Sequence, residues 1–316
     1  MNPLVTVICL CYNHEKFIEE AVNSILEQDY NNIEIIIADD FSKDSSREVI
    51  KKIAARHSSI RTILNEKNLG NCKAFNNALA IAKGKYIVDF ATDDVMVSNR
   101  ISKQVAAFER LGDEYAVVYS NVLDIDEQGK PIALHQKEDN ELPSGDIYIN
   151  ILERYFISPP SMMMRKKVFD ELGGYDESLA YEDFDFWVRS SRNYKYYYLK
   201  EVLCRKRILR NSQSAQFHRQ GKPSVVDTTI QICRKALWLN KSEEENKALA
   251  KRINYEMMHA FRMEYFEQAK KFYALLQEMD KTTTLSTLIK KAADSKLRIH
   301  WLYSYYIKLR YPHQHS

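Results

Sequence analysis

The sequence predicts an α/β domain followed by a helical region, and two features support this fold class. Through the first 90 residues, short apolar runs alternate with segments whose apolar residues recur at helical spacing. All eight glycines precede residue 222, and the interval 224–311 contains neither glycine nor proline. Because loops of mixed folds rarely avoid both residues for so long, we expect an α/β domain at 1–221 and a helical extension at 222–316.

The first 90 residues read as alternating strands and helices. A helix is indicated by the spacing of Ile18, Ala21, Val22, Ile25 and Leu26, which places them on one face. Consecutive strands joined by helices form right-handed crossovers, so we expect a parallel sheet with its ligands at the carboxyl edge. In order, the predicted elements are a strand at 4–10, a helix from Ile18, a strand at 33–38, a helix at 44–56, a strand at 60–64, a helix after Gly70 and a strand at 86–90.

Beyond that strand the pattern becomes mixed. It predicts a helix at 98–111, a strand at 115–121 and a hairpin turn at 124–131. A tight turn follows at Gly173-Gly174-Tyr175-Asp176, and an aromatic-rich helix opens with Glu182 and Asp183 in its first turn. Carboxylates there favour the positive helix end, so a structural role for this pair is the simplest interpretation of the spacing alone.

Two pairs of acidic residues come at or within two residues of the ends of predicted strands. Asp93-Asp94 ends the strand at 86–90, and Asp39-Asp40 ends the strand at 33–38. Adjacent carboxylates raise one another's pKa, so a pair that stays ionised needs a cation beside it. Mg²⁺ or Mn²⁺ carrying a substrate's phosphates suits such a site. Taken alone, however, either pair could also cap the helix that follows.

Several classes of function are disfavoured by composition and missing motifs. A net charge of +3 and the absence of basic and aromatic interleaving in the first 220 residues give no reason to expect a nucleic-acid partner. Neither Gly-x-Gly-x-x-Gly nor a P-loop occurs, so a bound nucleotide needs a metal to hold its phosphates. The five cysteines lack metal-ligand spacing and read as reduced core residues. With no signal peptide or membrane-spanning run, we expect a cytoplasmic location.

Seven stretches of the chain, taken together and in order, resemble an inverting glycosyltransferase of family 2 with the GT-A fold, of the type that builds bacterial surface glycans. The resemblance covers about residues 4–215. Its pieces are residues 5–13, Ser24-Ile25-Leu26-Glu27-Gln28, residues 34–42, Asn68-Leu69-Gly70, residues 84–94, Gly173-Gly174-Tyr175-Asp176 and Glu182-Asp183-Phe184-Asp185.

The resemblance implies a role for five residues. Tyr12 lies against the base of a nucleotide-sugar donor, Asp40 hydrogen-bonds that base, and Asp93 contacts the ribose. Asp94 holds Mn²⁺ or Mg²⁺ on the donor diphosphate, and Asp183 is the general base that deprotonates the acceptor hydroxyl. One direct displacement then inverts the sugar's configuration.

Two positions depart from the family pattern. Ala91 stands where many members have Asp, so the metal rests on fewer carboxylates. Leu209 stands where an Arg-x-His motif would place histidine, since the chain reads Arg207-Ile208-Leu209. A diphosphate contact expected from that histidine is therefore missing, and His218 is a remote substitute.

The C-terminal extension carries its own signals. Ser242 with Glu245 forms a predicted capping box, and later start signals bring the expected number of helices to three or four. The last helix is basic and aromatic, with six Lys/Arg against Asp294 alone after Leu285. Such a helix could lie on an anionic membrane, or it could pack on the protein through Leu297, Trp301, Tyr305 and Leu309.

The sequence and its resemblance therefore predict a metal-dependent enzyme that moves a sugar from a nucleotide-sugar to a glycan or lipid-linked acceptor in cell-surface polysaccharide synthesis. The expected donor is a UDP-sugar. Two alternatives stay open at this stage. A sugar-nucleotide nucleotidyltransferase would need a glycine-rich phosphate loop after the first strand, and residues 11–14 offer none. A binding module without chemistry would leave Asp183 as a helix-end residue only.

Overall fold

The computed structural model describes residues 2–137, 140–209 and 224–310, which form two compact units. Unit 1 contains residues 2–147 and 156–209, and unit 2 contains residues 148–155 and 224–310. Helix α5 (Tyr148–Glu153) thus belongs with the C-terminal helices, a grouping that the division at 221 does not include. That division itself stays a prediction.

Unit 1 is built on a nine-stranded mixed sheet in the order β3-β2-β1-β4-β8-β6-β9-β5, with β7 paired to β6. The strands are β1 (Val5–Cys11), β2 (Ile33–Asp39), β3 (Arg61–Leu64), β4 (Tyr86–Ala91), β5 (Val95–Met96), β6 (Tyr115–Ile125), β7 (Pro131–Leu134), β8 (Met163–Arg165) and β9 (Lys195–Arg207). The helices are α1 (Ile18–Leu26), α2 (Ser46–Arg56), α3 (Asn71–Leu79), α4 (Arg100–Arg110), α6 (Lys166–Leu172) and α7 (Glu182–Ser191), with a 3-10 turn at Pro159–Ser161.

The four strands at one side of the sheet are parallel, as the sequence predicts. β1 pairs with β2 and β4 and lies in the centre of this half, and all seven of its residues are buried. On one face, Val5, Val7 and Cys9 pack with apolar residues of α1, α2 and α4. Fully burying each such aliphatic side chain stabilises the fold by about 1.5–3 kcal/mol, so this layer holds the strand ends in register.

The other half of the sheet contains strands that the sequence analysis missed. The short strand β8 runs antiparallel to both β4 and β6, while the long strand β9 runs parallel to β6. β9 brings residues 204–207 beside β5, where Val95 pairs with Arg205. The loop after Asp94 is thereby tied to β9, about 110 residues further along the chain.

An aromatic cluster positions α7 in unit 1. The ring centroid of Tyr175 lies 4.4 Å from that of Phe75, 5.4 Å from Phe169 and 5.9 Å from Phe186. Such contacts add about 0.5–1.5 kcal/mol each beyond the buried area. The turn at Gly173-Gly174 requires glycine, because both residues have positive φ and a Cβ on Gly174 would meet Asn76 Oδ1 at 2.6 Å.

Unit 2 is helical. Besides α5, its described residues form α8 (Ser224–Leu239), α9 (Glu243–Arg262), α10 (Phe266–Glu278), α11 (Thr284–Asp294) and α12 (His300–Arg310). That makes five helices in 224–310, more than the three or four expected, because turns at Asp280 and Lys296 with positive φ interrupt the chain. Ser242 accepts the N–H of Glu245 as the capping pattern predicts, whereas the carboxylate of Glu245 accepts from the N–H of Lys241.

All five cysteines are buried and unpaired, which confirms the prediction that they are reduced core residues. Burial raises the pKa of the Cys204 and Cys233 thiols to about 12, so both are neutral packing groups.

No helix of the residues described is both long and apolar enough to cross a membrane.

Candidate active site

The carboxyl ends of β1, β2 and β4 lie side by side and carry the predicted site. In the register of the sheet, Cys11 pairs with Asp39, and Leu10 pairs with Ala91. The loops that follow these strands begin at Tyr12, Asp40 and Thr92, so four of the five predicted site residues lie in them. The parallel topology explains this grouping, because it brings the ends of three separated segments to one edge.

The loop after β1 is fixed by its backbone, which leaves the side chain of Tyr12 46% exposed. Asn13 adopts a left-handed conformation (φ 59°), its N–H donates to Ser42 Oγ at 2.9 Å, and its Oδ1 accepts from Lys43 N at 2.7 Å. Since the peptide on its C-terminal side is anchored to the neighbouring loop, the ring of Tyr12 can stay open to a flat ligand without local disorder.

Asp40 is buried and organises the loop that leads into α3. Its Oδ1 accepts from Asn65 Nδ2 at 3.1 Å and from Leu69 N at 2.7 Å, and its Oδ2 accepts from Gly70 N at 2.9 Å. The alternative that it caps the helix after β2 is wrong, because α2 begins at Ser46, whose N–H donates to Asp44 instead. The carboxylate is therefore held in one orientation at the sheet edge.

The Asp93-Asp94 pair is held by Arg207, a residue that the sequence analysis had linked only to a missing histidine. The backbone N–H of Arg207 donates to Asp94 Oδ1 at 2.8 Å, and its Nε donates to the carbonyl of Asp93 at 2.9 Å. The next helix, α4, begins at Arg100 after Asn99, so the interpretation of Asp93-Asp94 as a helix cap is also wrong.

The guanidinium of Arg207 joins this pair to two other parts of unit 1. Its Nη2 donates to Glu20 Oε2 at 2.7 Å, and its Nη1 donates to the carbonyls of Asp126 and Glu127 at 2.9 and 3.0 Å. The side chain is almost fully buried, so its positive charge is screened little by solvent. Arg207 thus supports the acid pair from behind through a strand that is remote in sequence.

Asp94 is in an environment that disfavours its charged form. Burial and the neighbouring charge of Asp93 raise the pKa of Asp94 well above its usual range, although the N–H of Arg207 and the charge of Lys206 act in the opposite direction. Its Oδ1 is used by Arg207, and among the described residues no hydrogen bond reaches Oδ2. A carboxylate oxygen that has no hydrogen bond among these residues, beside a second acid, is a ligand set suited to a hard divalent cation.

No group of three or more His, Cys, Asp or Glu with metal-binding geometry occurs among the residues described. Ala91, at the end of β4, adds no ligand. These residues therefore fit Mg²⁺ or Mn²⁺ bound by one or two carboxylates together with substrate phosphates, and they do not fit an all-protein metal cage.

Asp183 lies in the first turn of α7, where it is partly exposed. Burial among its neighbours is the main cause that raises its pKa well above the usual range, followed by the charges of Glu182 and Asp89. Glu182 is held by Asn71 Nδ2, which donates to its Oε1 at 2.5 Å. A carboxylate with a raised pKa is the type of group that accepts a proton near neutral pH.

Lys206 interacts electrostatically with both Asp94 and Asp183. Its positive charge lowers the pKa of both Asp94 and Asp183, which places both carboxylates within the field of one ammonium group. No hydrogen bond joins Tyr12 to any of the four acids within the described residues. Lys206 could not be selected from the sequence, because its position beside the acids depends on the pairing of β9 with β5 and β6.

His14 is a further residue that the sequence analysis did not select. Its Nδ1 lies 2.9 Å from Thr92 Oγ1, and its Nε2 lies 3.9 Å from Asp93 Oδ2. It therefore supports the loop that contains the acids. His218, the remote substitute considered for the position of Leu209, lies outside the described residues.

A mixed sheet with paired acids at the carboxyl edge of its parallel half, and a carboxylate on a later helix, defines a glycosyltransferase of the GT-A class. Residues 6–173 match the model of Glycosyl transferase family 2, which is more than half of the 316-residue chain. The chain belongs to this family and is a glycosyltransferase, as the motifs predict.

Two relatives support this assignment. The chain is 33% identical over 211 residues to an uncharacterized glycosyltransferase, MJ1057, of Methanocaldococcus jannaschii, an alignment that covers 66% of this chain and 71% of that protein. It is 29% identical over 249 residues to an uncharacterized glycosyltransferase of Rickettsia bellii, covering 77% of this chain and 34% of that longer protein.

Two solved structures share the fold. TarS of S. aureus, in complex with UDP, superimposes with a TM-score of 0.70 at 18% identity, covering 93% of this chain and 87% of that one. The mannosyltransferase PcManGT of Pyrobaculum calidifontis, in complex with GDP-Man and Mn²⁺, gives a TM-score of 0.61 at 16% identity, covering 93% and 80%. At these identities the likeness confirms the GT-A fold.

Proposed function

We propose that this chain is an inverting, metal-dependent glycosyltransferase that moves a sugar from a UDP-sugar to a hydroxyl of a glycan or lipid-linked acceptor during cell-surface polysaccharide synthesis. The observation that carries the proposal is that the carboxyl edge of the parallel strands holds Asp40, Asp93 and Asp94, while the same unit holds Asp183 in the first turn of α7. The raised pKa values of Asp94 and Asp183 are consistent with a cation site and a base. Residues 1–221 supply the catalytic domain in this proposal, and 222–316 supply the extension.

The donor's nucleotide would occupy the edge formed by β1, β2 and β4. The exposed ring of Tyr12 offers a face for the base, and Asp40 offers a fixed carboxylate to a base N–H. Asp93 would accept from a ribose hydroxyl. UDP is favoured as the nucleotide because TarS, which shares the fold, binds it, while the GDP-Man complex of PcManGT makes a guanine donor the competing possibility.

Asp94, with Asp93 beside it, would hold Mn²⁺ or Mg²⁺ on the donor diphosphate. When bound, such a cation offsets the negative charge that grows on the leaving diphosphate. The Mn²⁺ in the PcManGT complex supports a divalent metal here. Arg207 holds the carbonyl of Asp93 and the Oδ1 atom of Asp94 in place, so the Asp94 carboxylate has a rigid support.

The proposed displacement uses Asp183 as the base. The carboxylate takes the proton of the acceptor hydroxyl while that oxygen forms a bond to the anomeric carbon. The bond between that carbon and the diphosphate oxygen breaks, and the nucleoside diphosphate leaves with the electron pair. Because attack and departure occur on opposite faces of the sugar, the anomeric configuration is inverted.

The extension is proposed to contact an anionic membrane surface from the cytoplasmic side. The side chains of Leu297, Trp301 and Tyr305 are 54%, 67% and 64% exposed. The alternative in which these three residues pack on the protein is therefore wrong. The side chain of Leu309, the fourth residue of that alternative, is not among those described. Lys291, Lys296 and Arg298 lie near them in sequence. Apolar rings among cations suit the interface of an anionic bilayer.

A metal-dependent binding experiment tests the central assignment. Titration of UDP into the wild-type chain with and without Mn²⁺ should show binding strengthened by the metal, and Asp94→Asn should lose that difference. Hydrolysis of a UDP-sugar in Mn²⁺, also absent from the variant, separates an enzyme from a binding module. The same gain from Mn²⁺ in Asp94→Asn would disprove the metal assignment.

A further inference from the structure

Asp89 is a carboxylate inside the catalytic unit for which the proposed reaction has no use. It lies in β4, two positions before Ala91, and its Oδ2 accepts a hydrogen bond of 3.0 Å from Tyr175 Oη. Most central strand residues of the parallel half are apolar, and an acid at this position costs desolvation energy. A buried acid that destabilises the fold at this position suggests a role in function.

The backbone and the ring of Tyr175 are both fixed by contacts, so its hydroxyl has a defined position beside Asp89. Its N–H donates to Asn76 Oδ1 at 3.0 Å, its carbonyl accepts from Asn76 Nδ2 at 2.8 Å, and its ring packs in the aromatic cluster of unit 1. The hydroxyl is thus directed at Asp89 by α3 and by the Gly173-Gly174 turn. The Asp89–Tyr175 pair is therefore fixed, and the Tyr175 ring contacts Phe186 of α7.

The titratable groups that face this pair come from every neighbouring element. They are Cys9 in β1, Cys72 in α3 and Glu182 and Asp183 in α7, and Lys206 in β9 acts on Asp183. Burial and the charge of Glu182 raise the pKa of Asp89 to about 7, while the Tyr175 hydroxyl acts to lower it. The charge of Asp89 is in turn one cause of the raised pKa of Asp183.

We propose that Asp89, oriented by Tyr175, is a positioning residue that sets the pH range over which Asp183 acts as the base. This inference rests on the proposed role of Asp183. Asp89 loses its proton near neutral pH, and its negative charge then holds the proton on Asp183 to higher pH. The enzyme would therefore reach full activity only on the alkaline side of neutrality.

Replacement of the charge should move the acid limb of the pH–rate profile. In Asp89→Asn the charge of Glu182 still opposes ionisation of Asp183 but the charge of Asp89 is gone, so the acid limb of kcat/KM should move to lower pH by about 1 unit, the size expected for a nearby like charge. Tyr175→Phe keeps the ring but removes the hydroxyl, which raises the pKa of Asp89 and keeps it neutral longer. The limb should then move in the same direction by a smaller amount.

A matched control removes a buried tyrosine hydroxyl that faces none of these acids. Tyr196 Oη lies 2.7 Å from Ser190 Oγ, and the ring is fully buried in unit 1. Tyr196→Phe should leave the limb in place. If the Asp89–Tyr175 bond were only structural, Asp89→Asn would lower the rate equally at every pH, and the proposal would be wrong.

A second measurement separates failure of this inference from failure of the proposed function. The ¹³C chemical shift of the Asp183 carboxyl, followed against pH without substrate, reports its ionisation directly; the signal is assigned by its loss in Asp183→Asn. A lower midpoint in Asp89→Asn supports the inference even if Asp183→Asn keeps its activity, in which case only the proposed base is wrong. An unchanged midpoint overturns the inference.

Discussion

Asp183→Asn should lower activity and raise stability at the same time. A general base contributes about 10²- to 10⁴-fold in rate, and an amide cannot accept the acceptor's proton, so turnover should fall by that factor. Donor affinity should stay close to wild type because the carboxylate is assigned to the acceptor. The stability change follows from the direction of the pKa shift of Asp183, which is raised in the folded state.

A carboxyl whose folded pKa is raised binds its proton more tightly in the native state than in the unfolded chain. Its contribution to stability is therefore present at low pH and is lost as pH rises from the unfolded pKa through the folded one. Each unit of such a shift costs about 1.4 kcal/mol once the group is ionised. Asp183→Asn removes this cost, so above neutral pH the variant should be more stable to urea than wild type.

Asp185 in the same helix provides a matched control of opposite sign. Its carboxylate is fully buried and accepts from Arg189 Nε at 2.6 Å, and Arg189 also donates to the carbonyls of Leu172 and Gly174. Asp185→Asn leaves a partly buried guanidinium without its anion, which should cost about 1.5–3 kcal/mol of stability.

The assay is urea unfolding of wild type and both variants at pH 6 and pH 8.5, together with turnover and donor affinity at saturating Mn²⁺. Asp183→Asn should gain stability mainly at the higher pH, and Asp185→Asn should lose stability at both values. Full turnover in Asp183→Asn, or loss of donor affinity in proportion to rate, would refute the assignment of the base.

Two further predictions concern the donor and the extension. Asp40→Ala should weaken UDP binding by about 1.5–3 kcal/mol, the value of one charged hydrogen bond, while also loosening the Leu69-Gly70 turn; an unchanged dissociation constant from calorimetry would count against it. Replacement of Lys291, Lys296 and Arg298 by glutamate should reduce co-sedimentation of the protein with vesicles of phosphatidylglycerol and phosphatidylcholine. Transfer to a soluble acceptor should not become slower. Equal sedimentation of the variant and wild type would contradict the proposed membrane contact.

The parallel half of the sheet and its acids could be predicted because their signals are local. The run 86–90 is apolar except for Asp89, and Asp93-Asp94 comes two residues after it, so topology alone brings these acids to the same edge as Asp40. The five selected residues all lie in unit 1. Their roles in binding and catalysis stay predictions until substrates are tested.

The missing part of the site depends on contacts that are distant in sequence. β8 has only three residues, and β9 contains charged positions such as Lys206 and Arg207, so neither presents a clear strand pattern. The contact between Arg207 and Asp94 spans 113 positions, and that between Tyr175 and Asp89 spans 86. No local rule connects residues that far apart, so their pairing emerges only from the folded sheet.

Three carboxylates of unit 1 lie in environments that disfavour their charged forms, and this suggests how substrate binding and chemistry would be coupled. Asp89, Asp94 and Asp183 all have raised pKa values, so ionising each of them weakens the fold. Arg207, through the Asp93 carbonyl, and the Asp185–Arg189 pair stabilise the same unit. A cation at Asp94 would lower the pKa of that acid, and an acceptor hydroxyl would give Asp183 a partner. Each substrate would therefore stabilise the ionised form that its own step requires.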